Sequence, residues 1–483
     1  MTFNAPLFLF FFLPVVLGIY LLLGQRGRVW LLLAASLIFY TWGAPLYTPV
    51  ILLLAVFNFW LGQKLAREPE RRWLLTAGVT TNIGLLAFFK ITVRYWPQIL
   101  SLTAGLTGWV LPKTAAAYLQ KGFVFPLGLS FLAFQGTAYL LDIRKNPQNA
   151  ASSLRDCLTY LLLFPKLLAG PIVRYREITA QLRSPTVTSA QLADGVRRFI
   201  TGLAKKLLIA DQLARLTDGG IFAQSAPNLT TGIAWLALLA YTLQIYYDFS
   251  GYTDMAIGMG QMFGLRFAEN FNHPYISRSI SEFWRRWHIT LSSWFRDYVF
   301  YPLERKRHSA GGLRQPANIL IVFLLTGLWH GVSVNFLLWG GLHGLAIAFE
   351  NMPAGKKLSR LWSPLQHLYA LLIVLTGWVF FRSPSLPFAL GYLRTLAGFP
   401  TGSGLLPYSI LPPLEGPFWL ALAAGIVFVL PLREVLKPLE GKLAGAWSAA
   451  LGLALDAGRI GLFWISLIAL AGSSYQPYIY GGF

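Results

Sequence analysis

Ile319-Leu-Ile-Val-Phe-Leu-Leu-Thr-Gly-Leu-Trp-His330-Gly331 decides the fold of this chain. The run opens after Asn318, carries no charge, and closes on an imidazole. Such a stretch suits a helix in hydrocarbon, where every backbone polar group bonds within its own segment. A histidine at that depth needs a partner or a role, because burying an unsatisfied polar group is costly. Imidazole is also the side chain best suited to moving protons near neutral pH. Gly327 and Gly331 flank it and allow close approach of a helix or a substrate. His330 is therefore the first functional candidate.

Composition extends the membrane reading to the whole chain. The 483 residues are 55% hydrophobic and only 12% charged, about half the charged fraction of a soluble domain. Aromatic residues reach 15%, enough to furnish many interfacial belts. Alternating segments of the β-barrel kind are absent. The expectation is an all-α, polytopic integral membrane protein. A net charge of +21 would suit nucleic acid, but the basic residues fall in loops between apolar runs. That is the pattern of cytoplasmic loops contacting anionic lipid, so no nucleic-acid partner is expected. Cys157 stands alone in apolar surroundings and reads as a packed thiol. The N-terminus has no basic stretch before its apolar run and no small-residue cleavage site nearby, so Leu7–Leu23 reads as a retained first span.

Further apolar runs are Val29–Trp42, Thr48–Leu61, Trp73–Phe89, Phe123–Leu141, Thr231–Tyr247, Met255–Phe267, Ala317–Trp329, Val334–Phe349, Leu368–Phe381, Phe418–Leu430 and Gly458–Leu470. With the first, this gives about twelve spans, several of them short. Arg26 and Arg28 follow the first run, and Lys64, Arg67, Arg71 and Arg72 follow the third; the loop between has neither Lys nor Arg. Positive-inside reasoning puts the N-terminus outside and the basic loops 171–220 and 266–315 in the cytoplasm. The alternation closes only if Ile99–Leu111 and Leu158–Ala169 do not cross. Pro165, Lys166 and Gly170 interrupt the second, as in a re-entrant segment. Leu192–Leu213, basic and amphipathic, is expected along the cytoplasmic face. No repeat and no long polar linker divides the chain, so residues 1–483 read as one membrane domain with its core motifs in 242–344.

Within that core, Asp248-Phe-Ser250-Gly251-Tyr-Thr-Asp254 reads as a tight interhelical turn, lining a polar cavity or simply facing solvent. Pro274 favours an extended His273. Ser279-Ile-Ser-Glu282 fits a capping box opening a helix. On one helix Trp284, His288, Leu291 and Phe295 share a face while Arg285, Arg286 and Arg296 point elsewhere, too charged for lipid. The residues alone leave His288 open, as a satisfied interfacial histidine or a catalyst. His343 is expected to hydrogen-bond a neighbouring helix, and His308 and His367 to lie at solvent or an interface. No HExxH, Cys/His cluster, GxSxG elbow, Walker A or Rossmann glycine pattern is present. Three histidines with Asp254 or Asp297 lack metal-ligand spacing, so a metal-free acid–base site is expected.

Several of these segments resemble the membrane-bound O-acyltransferase family, in its bacterial branch of polysaccharide O-acetylation and teichoic-acid D-alanylation proteins. The resemblance rests on Pro126-Leu-Gly-Leu-Ser-Phe-Leu-Ala-Phe-Gln135, Phe164-Pro-Lys-Leu-Leu-Ala-Gly-Pro171 and Tyr247-Asp-Phe-Ser-Gly-Tyr-Thr-Asp254. Its strongest parts are Phe283-Trp-Arg-Arg-Trp-His288-Ile-Thr-Leu-Ser-Ser-Trp-Phe-Arg-Asp-Tyr and Gly327-Leu-Trp-His330-Gly331. It implies spanning, re-entrant and amphipathic helices around a central funnel or tunnel. His330 matches the family's catalytic histidine and His288 its second polar position. Arg285, Arg286, Ser292, Asp297, Trp329, Asp254 and Gln135 are the expected substrate contacts.

The implied activity moves an acyl group, acetyl first, from a cytoplasmic thioester to a hydroxyl on an extracytoplasmic polysaccharide or a periplasmic SGNH-type transferase. The donor, acetyl-CoA or an acyl carrier protein, is a cosubstrate, and no bound cofactor is expected. The expected location is the bacterial inner membrane. Two alternatives stand beside this reading. One is D-alanyl transfer to teichoic acid. The other is a transporter or flippase, which predicts inverted repeats that the sequence does not display.

Overall fold

A chain this apolar hides its backbone polar groups by closing them within helices. The computed structural model describes residues 2–107, 124–218, 220–223, 229–306, 313–400, 414–432 and 446–472. Among these, every regular element is helical. The chain divides into two compact units, one built from Met1–Leu192 and Met259–Phe267, the other from Ala193–Gly258 and Ala268–Ile479.

The first unit runs through a π turn into α1 (Leu13–Leu22), then α2 (Gln25–Gly43), α3 (Thr48–Arg67), α4 (Arg72–Thr107), α5 (Leu129–Lys145), α6 (Leu154–Leu162) and α7 (Tyr175–Arg183). Polar side chains hold its apolar helices together. Asn58 on α3 and Asn82 on α4 exchange amide hydrogen bonds of 3.0 and 2.8 Å, both fully buried. Interhelical bonds of this kind join helices that lipid would otherwise solvate equally well. Gly136 of α5 permits the approach, since a Cβ there would stand 2.8 Å from Asn82 Oδ1. α6 has nine residues and stops before Pro165, too short to cross a bilayer at about 1.5 Å per residue. This agrees with a non-crossing 158–169 segment. Cys157 is completely buried on α6, and burial pushes its thiol up to about 12, the state of a packing residue.

The second unit contains the rest of α8 (Ser189–Ala204), α9 (Asp211–Thr217) and most of α10 (Thr231–Met262). These are followed by the short α11 (Ile280–Arg286), α12 (Ile289–Phe295) and α13 (Tyr301–Lys306), then α14 (Arg314–His330), α15 (Val334–Asn351), α16 (Ser363–Arg382), α17 (Leu386–Leu396), α18 (Gly416–Phe428) and α19 (Ala446–Ala471). Among the described residues, four helical stretches are long and apolar enough to cross a bilayer: Pro45–Arg67, Arg72–Ile99, Ser363–Arg382 and Ala449–Ala471. Large apolar side chains such as Phe10, Leu53, Leu420 and Leu453 face outward on apolar helices, where acyl chains would cover them. The chain is a helical membrane protein. The structure thus supplies four long candidates where the pattern predicts about twelve runs.

Two expectations need correction. Residues 231–262 form one helix of 32 residues, so no turn interrupts 248–254. Nothing in that stretch breaks a helix, and its glycines serve packing: a Cβ on Gly251 would lie 2.7 Å from the Gly202 carbonyl of α8. The cations of Leu192–Leu213 each meet a carboxylate, Arg197 at the surface with Asp194 and Asp456 and the others further in. A π-helical segment, Lys205–Ala210, joins α8 to α9. Lys205 Nζ reaches Asp254 at 2.6 Å, while Lys206 Nζ is buried between Asp211 (2.6 Å) and Asp248 (2.7 Å). A buried cation is tolerated only against carboxylates. Finally, His273 precedes a proline yet adopts a left-handed backbone (φ 45°), with its Nδ1 2.9 Å from the Val429 carbonyl.

α14 and α15 form a hairpin whose crossing depends on two glycines. A Cβ on Gly327 would lie 2.3 Å from the Phe336 carbonyl, and one on Gly340 would lie 2.3 Å from that of Phe323. Gly341 meets nothing nearer than 3.9 Å. Gly340→Ala is expected to lower the thermal midpoint of the purified protein in detergent, at a cost of about 1–3 kcal/mol. Gly341→Ala should leave that midpoint unchanged, and equal midpoints for the two variants would contradict the packing.

Candidate active site

The segment 279–295 begins at the expected cap, although the reciprocal half of the box shifts one residue back. The Ser279 hydroxyl accepts from the Glu282 amide at 3.0 Å, and the Glu282 carboxylate accepts from the Arg278 amide at 2.9 Å. The expected single helix does not continue, however. α11 ends at Arg286, Trp287 is extended, and His288 sits in the left-handed region at φ 44°, ψ 50° before α12 starts. An imidazole-bearing residue pays for that conformation, which is uncommon outside glycine.

The loop 270–272 holds the break open. Asn272 N donates to the Arg286 carbonyl at 2.9 Å, and Ile289 N donates to the Asn270 carbonyl at 3.0 Å. His288 is 1% exposed, and Trp284, Leu291 and Phe295 are buried with it, so the face expected to share one side does lie inward, carried by two helices and a break instead of one helix. The His288 ring packs against Phe249 (centroids 4.7 Å apart) and Trp329 (6.1 Å). His288 lies in a turn between two seven-residue helices, outside the spanning segments. Burial lowers its pKa to about 3, so the ring is neutral.

His330 arrives by a different route. It is the last residue of α14, 3% exposed, with extended Gly331 ending the helix. Its ring meets Trp329 at 4.6 Å, Trp339 at 5.0 Å, Phe381 at 5.0 Å and Phe336 at 6.3 Å. The two candidate histidines, 42 positions apart in sequence, thus border one indole, that of Trp329. A neutral base beside a second imidazole, enclosed by aromatic walls, can take and return a proton with little competition from water.

The remaining expected contacts separate into groups. Trp329 belongs to the site. Ser292, half-buried one turn into α12, has a buried hydroxyl with no partner among the described residues. Arg285 is exposed, whereas Arg286 is held by Glu282 at 3.0 Å and the Asn272 carbonyl at 3.2 Å. Asp297 pairs with Arg296 at 3.2 Å. Asp254 is bound by Arg198 (2.9 Å) and Lys205 (2.6 Å), so its carboxylate anchors α10 to α8 rather than standing open to a ligand. Gln135 belongs to the first unit, where buried Lys166 donates to it and lies 4.6 Å above the Tyr160 ring.

His343 behaves as expected: its Nδ1 accepts from Trp284 Nε1 of α11 at 3.3 Å. His367 contacts the Ser277 carbonyl at 3.2 Å, and His308 lies outside the described residues. Among the described residues no group of three or more His, Cys, Asp or Glu could hold a metal ion. Sequence reasoning missed Asn270, Phe249, Trp339 and Phe381. The first lies only two residues before the Asn272-His273-Pro274 loop, but its role depends on a contact 18 residues away.

Comparison with known proteins places the chain in a class. Residues 113–394 match the membrane-bound O-acyltransferase family, MBOAT. The chain is 35% identical over 503 aligned positions to a probable alginate O-acetylase, AlgI, of Pseudomonas putida, covering 99% of each protein. It is 34% identical to a peptidoglycan O-acetyltransferase of Helicobacter pylori, over 82% of this chain and 80% of that protein. A teichoic acid D-alanyltransferase of Bacillus subtilis matches at 30%, over 47% of this chain and 58% of its own. The chain belongs to the membrane-bound O-acyltransferase family. It is a membrane acyltransferase.

Trp329 is the wall common to both imidazoles. Trp329→Ala is expected to lower transfer by on the order of 10–10², because displacements near 1 Å are enough for such losses. Trp329→Phe, which keeps an aromatic wall, should retain most activity in the same purified assay. Equal losses in the two variants would count against the shared wall.

Proposed function

We propose that this protein O-acetylates an extracytoplasmic polysaccharide, taking acetyl from a cytoplasmic thioester and passing it across the bacterial inner membrane. The observation that carries the reading is the pair of buried imidazoles bordering Trp329. The nature of the relatives supports acetyl as the group: the acetylase-type relatives match nearly the whole chain, the D-alanyltransferase about half of it. The donor is acetyl-CoA or an acyl carrier protein, acting as cosubstrate without a resident cofactor. Exposed Arg285 is suited to its phosphates, with the N-terminus outside and the basic loops in the cytoplasm. The acceptor is a polysaccharide hydroxyl, reached directly or through a periplasmic SGNH-type transferase.

In this reading the acceptor oxygen attacks the thioester carbonyl while His330 removes its proton. The new C–O bond forms as the C–S bond breaks, and His330 returns the proton to the departing thiolate. The products are an ester and a free thiol. His288 either orients a reacting group or stabilises developing charge. A charged donor need not cross the membrane, because only a small neutral acyl group does.

His330→Ala is expected to lower acetyl transfer by on the order of 10²–10⁴ while membrane insertion stays normal. Radiolabelled acetyl incorporated into polysaccharide by purified protein measures it. Unchanged incorporation in that variant would remove the proposed mechanism.

A further inference from the structure

The geometry points to Asn270 as the positioning residue that fixes His288 in its Nδ1–H form, so that Nε2 presents a lone pair to an O–H donor. This deepens the acyl-transfer reading and rests on it, and it decides between the two roles left to His288.

The assignment follows from counting donors around one oxygen. Asn270 is completely buried. Its Oδ1 lies 3.1 Å from the Thr290 amide nitrogen, 2.9 Å from the Thr290 hydroxyl and 3.2 Å from His288 Nδ1. A backbone N–H can only donate, so the atom facing it must be the amide oxygen; an inverted side chain would set N–H against N–H. With the oxygen fixed there, His288 Nδ1 must be the donor. A neutral imidazole carries one proton, so the bare nitrogen is Nε2.

Nε2 is buried and has no partner among the described residues. A buried lone pair left unmatched is costly, and the ring that carries it packs against Phe249 and Trp329. His343 gives the opposite case within the same unit. There Trp284 donates to Nδ1, which places the proton on Nε2. The fold thus holds two neighbouring histidines in opposite tautomers.

Asn270 also fixes the backbone. Its carbonyl takes the Ile289 amide, so one residue grips both the left-handed turn and the ring it carries. A neutral His288 built this way accepts hydrogen bonds and cannot donate to an oxyanion from Nε2. It therefore accepts from a hydroxyl beside the reacting one on the sugar, holding the acceptor so that the reacting oxygen approaches the thioester carbon while His330 takes that oxygen's own proton. The ligand class it selects is a hydroxyl, not a carboxylate or a phosphate.

Protein carrying ring-¹⁵N histidine, reconstituted in lipid, tests this by solid-state NMR, with the His288 signals assigned by their loss in His288→Gln. The wild-type protein should show a protonated Nδ1 and a bare Nε2. Asn270→Asp keeps the accepting oxygen and should keep that tautomer; Asn270→Leu, which removes it, should lose the tautomer. In acetyl transfer, Asn270→Leu should lower kcat about 10- to 100-fold with donor KM unchanged, as positioning contacts do, and Asn270→Asp should recover part of the loss. A protonated Nε2 in the wild type, or an unchanged His288 spectrum in Asn270→Leu, would overturn the proposal. Neither spectrum depends on turnover. A tautomer that is wrong in the wild type or indifferent to Asn270→Leu therefore speaks against Asn270 alone, whereas absence of acetyl transfer with the expected spectra speaks against the acyl-transfer reading.

Discussion

Burying a polar group is costly unless another meets it, and the paired polar groups inside this chain organise its structure. In the first unit Asn58 meets Asn82, and Lys166 meets Gln135. In the second, Lys206 lies between Asp211 and Asp248, and Arg198 with Lys205 holds Asp254. Such pairs are weak evidence for net stability, since desolvation offsets much of their attraction. Their effect is specificity: apolar helices in lipid have little reason to choose one neighbour over another, and these contacts name one. Close glycine crossings at Gly202–Gly251 and Gly327–Gly340 then allow the helices to approach.

Against that background the incompletely matched groups carry meaning. His288 Nε2 and the Ser292 hydroxyl are buried without partners among the described residues, within one turn of each other in sequence. They lie where the helix is broken and a strained left-handed residue is held by the Asn270 loop. Other buried polar atoms also lack partners among the described residues, but at His288 the unpaired atom coincides with a backbone bent into the left-handed region, the combination expected where a reacting molecule is held. The aromatic walls of Trp329, Trp339 and Phe381 supply the dry surroundings in which proton transfer between weak partners is effective.

Much of this was legible in the sequence where a residue's meaning is local. His330 closing an uncharged run, the Ser279–Glu282 cap and the packed Cys157 are each readable from neighbours a few positions away. Meanings set by distant partners were not. Asp254 looks like a cavity residue until Arg198 and Lys205 are seen to hold it. The break at His288 is invisible in a pattern that fits an unbroken amphipathic helix, because its cause is the loop 270–272. The single 32-residue α10 was likewise obscured: Asp248, Ser250 and Gly251 resemble a turn, but their partners lie on α8 and the π-helical segment.

The central claim is that an acyl group passes through the bilayer at this histidine pair while its carrier stays behind. Sidedness in sealed proteoliposomes tests it most directly, with a labelled, membrane-impermeant acetyl thioester confined to one face and a polysaccharide hydroxyl acceptor to the other. The account expects labelled ester on the acceptor and free thiol left with the donor, for one orientation of the protein only. Ester that forms when donor and acceptor share a compartment, and never when the membrane separates them, would contradict it.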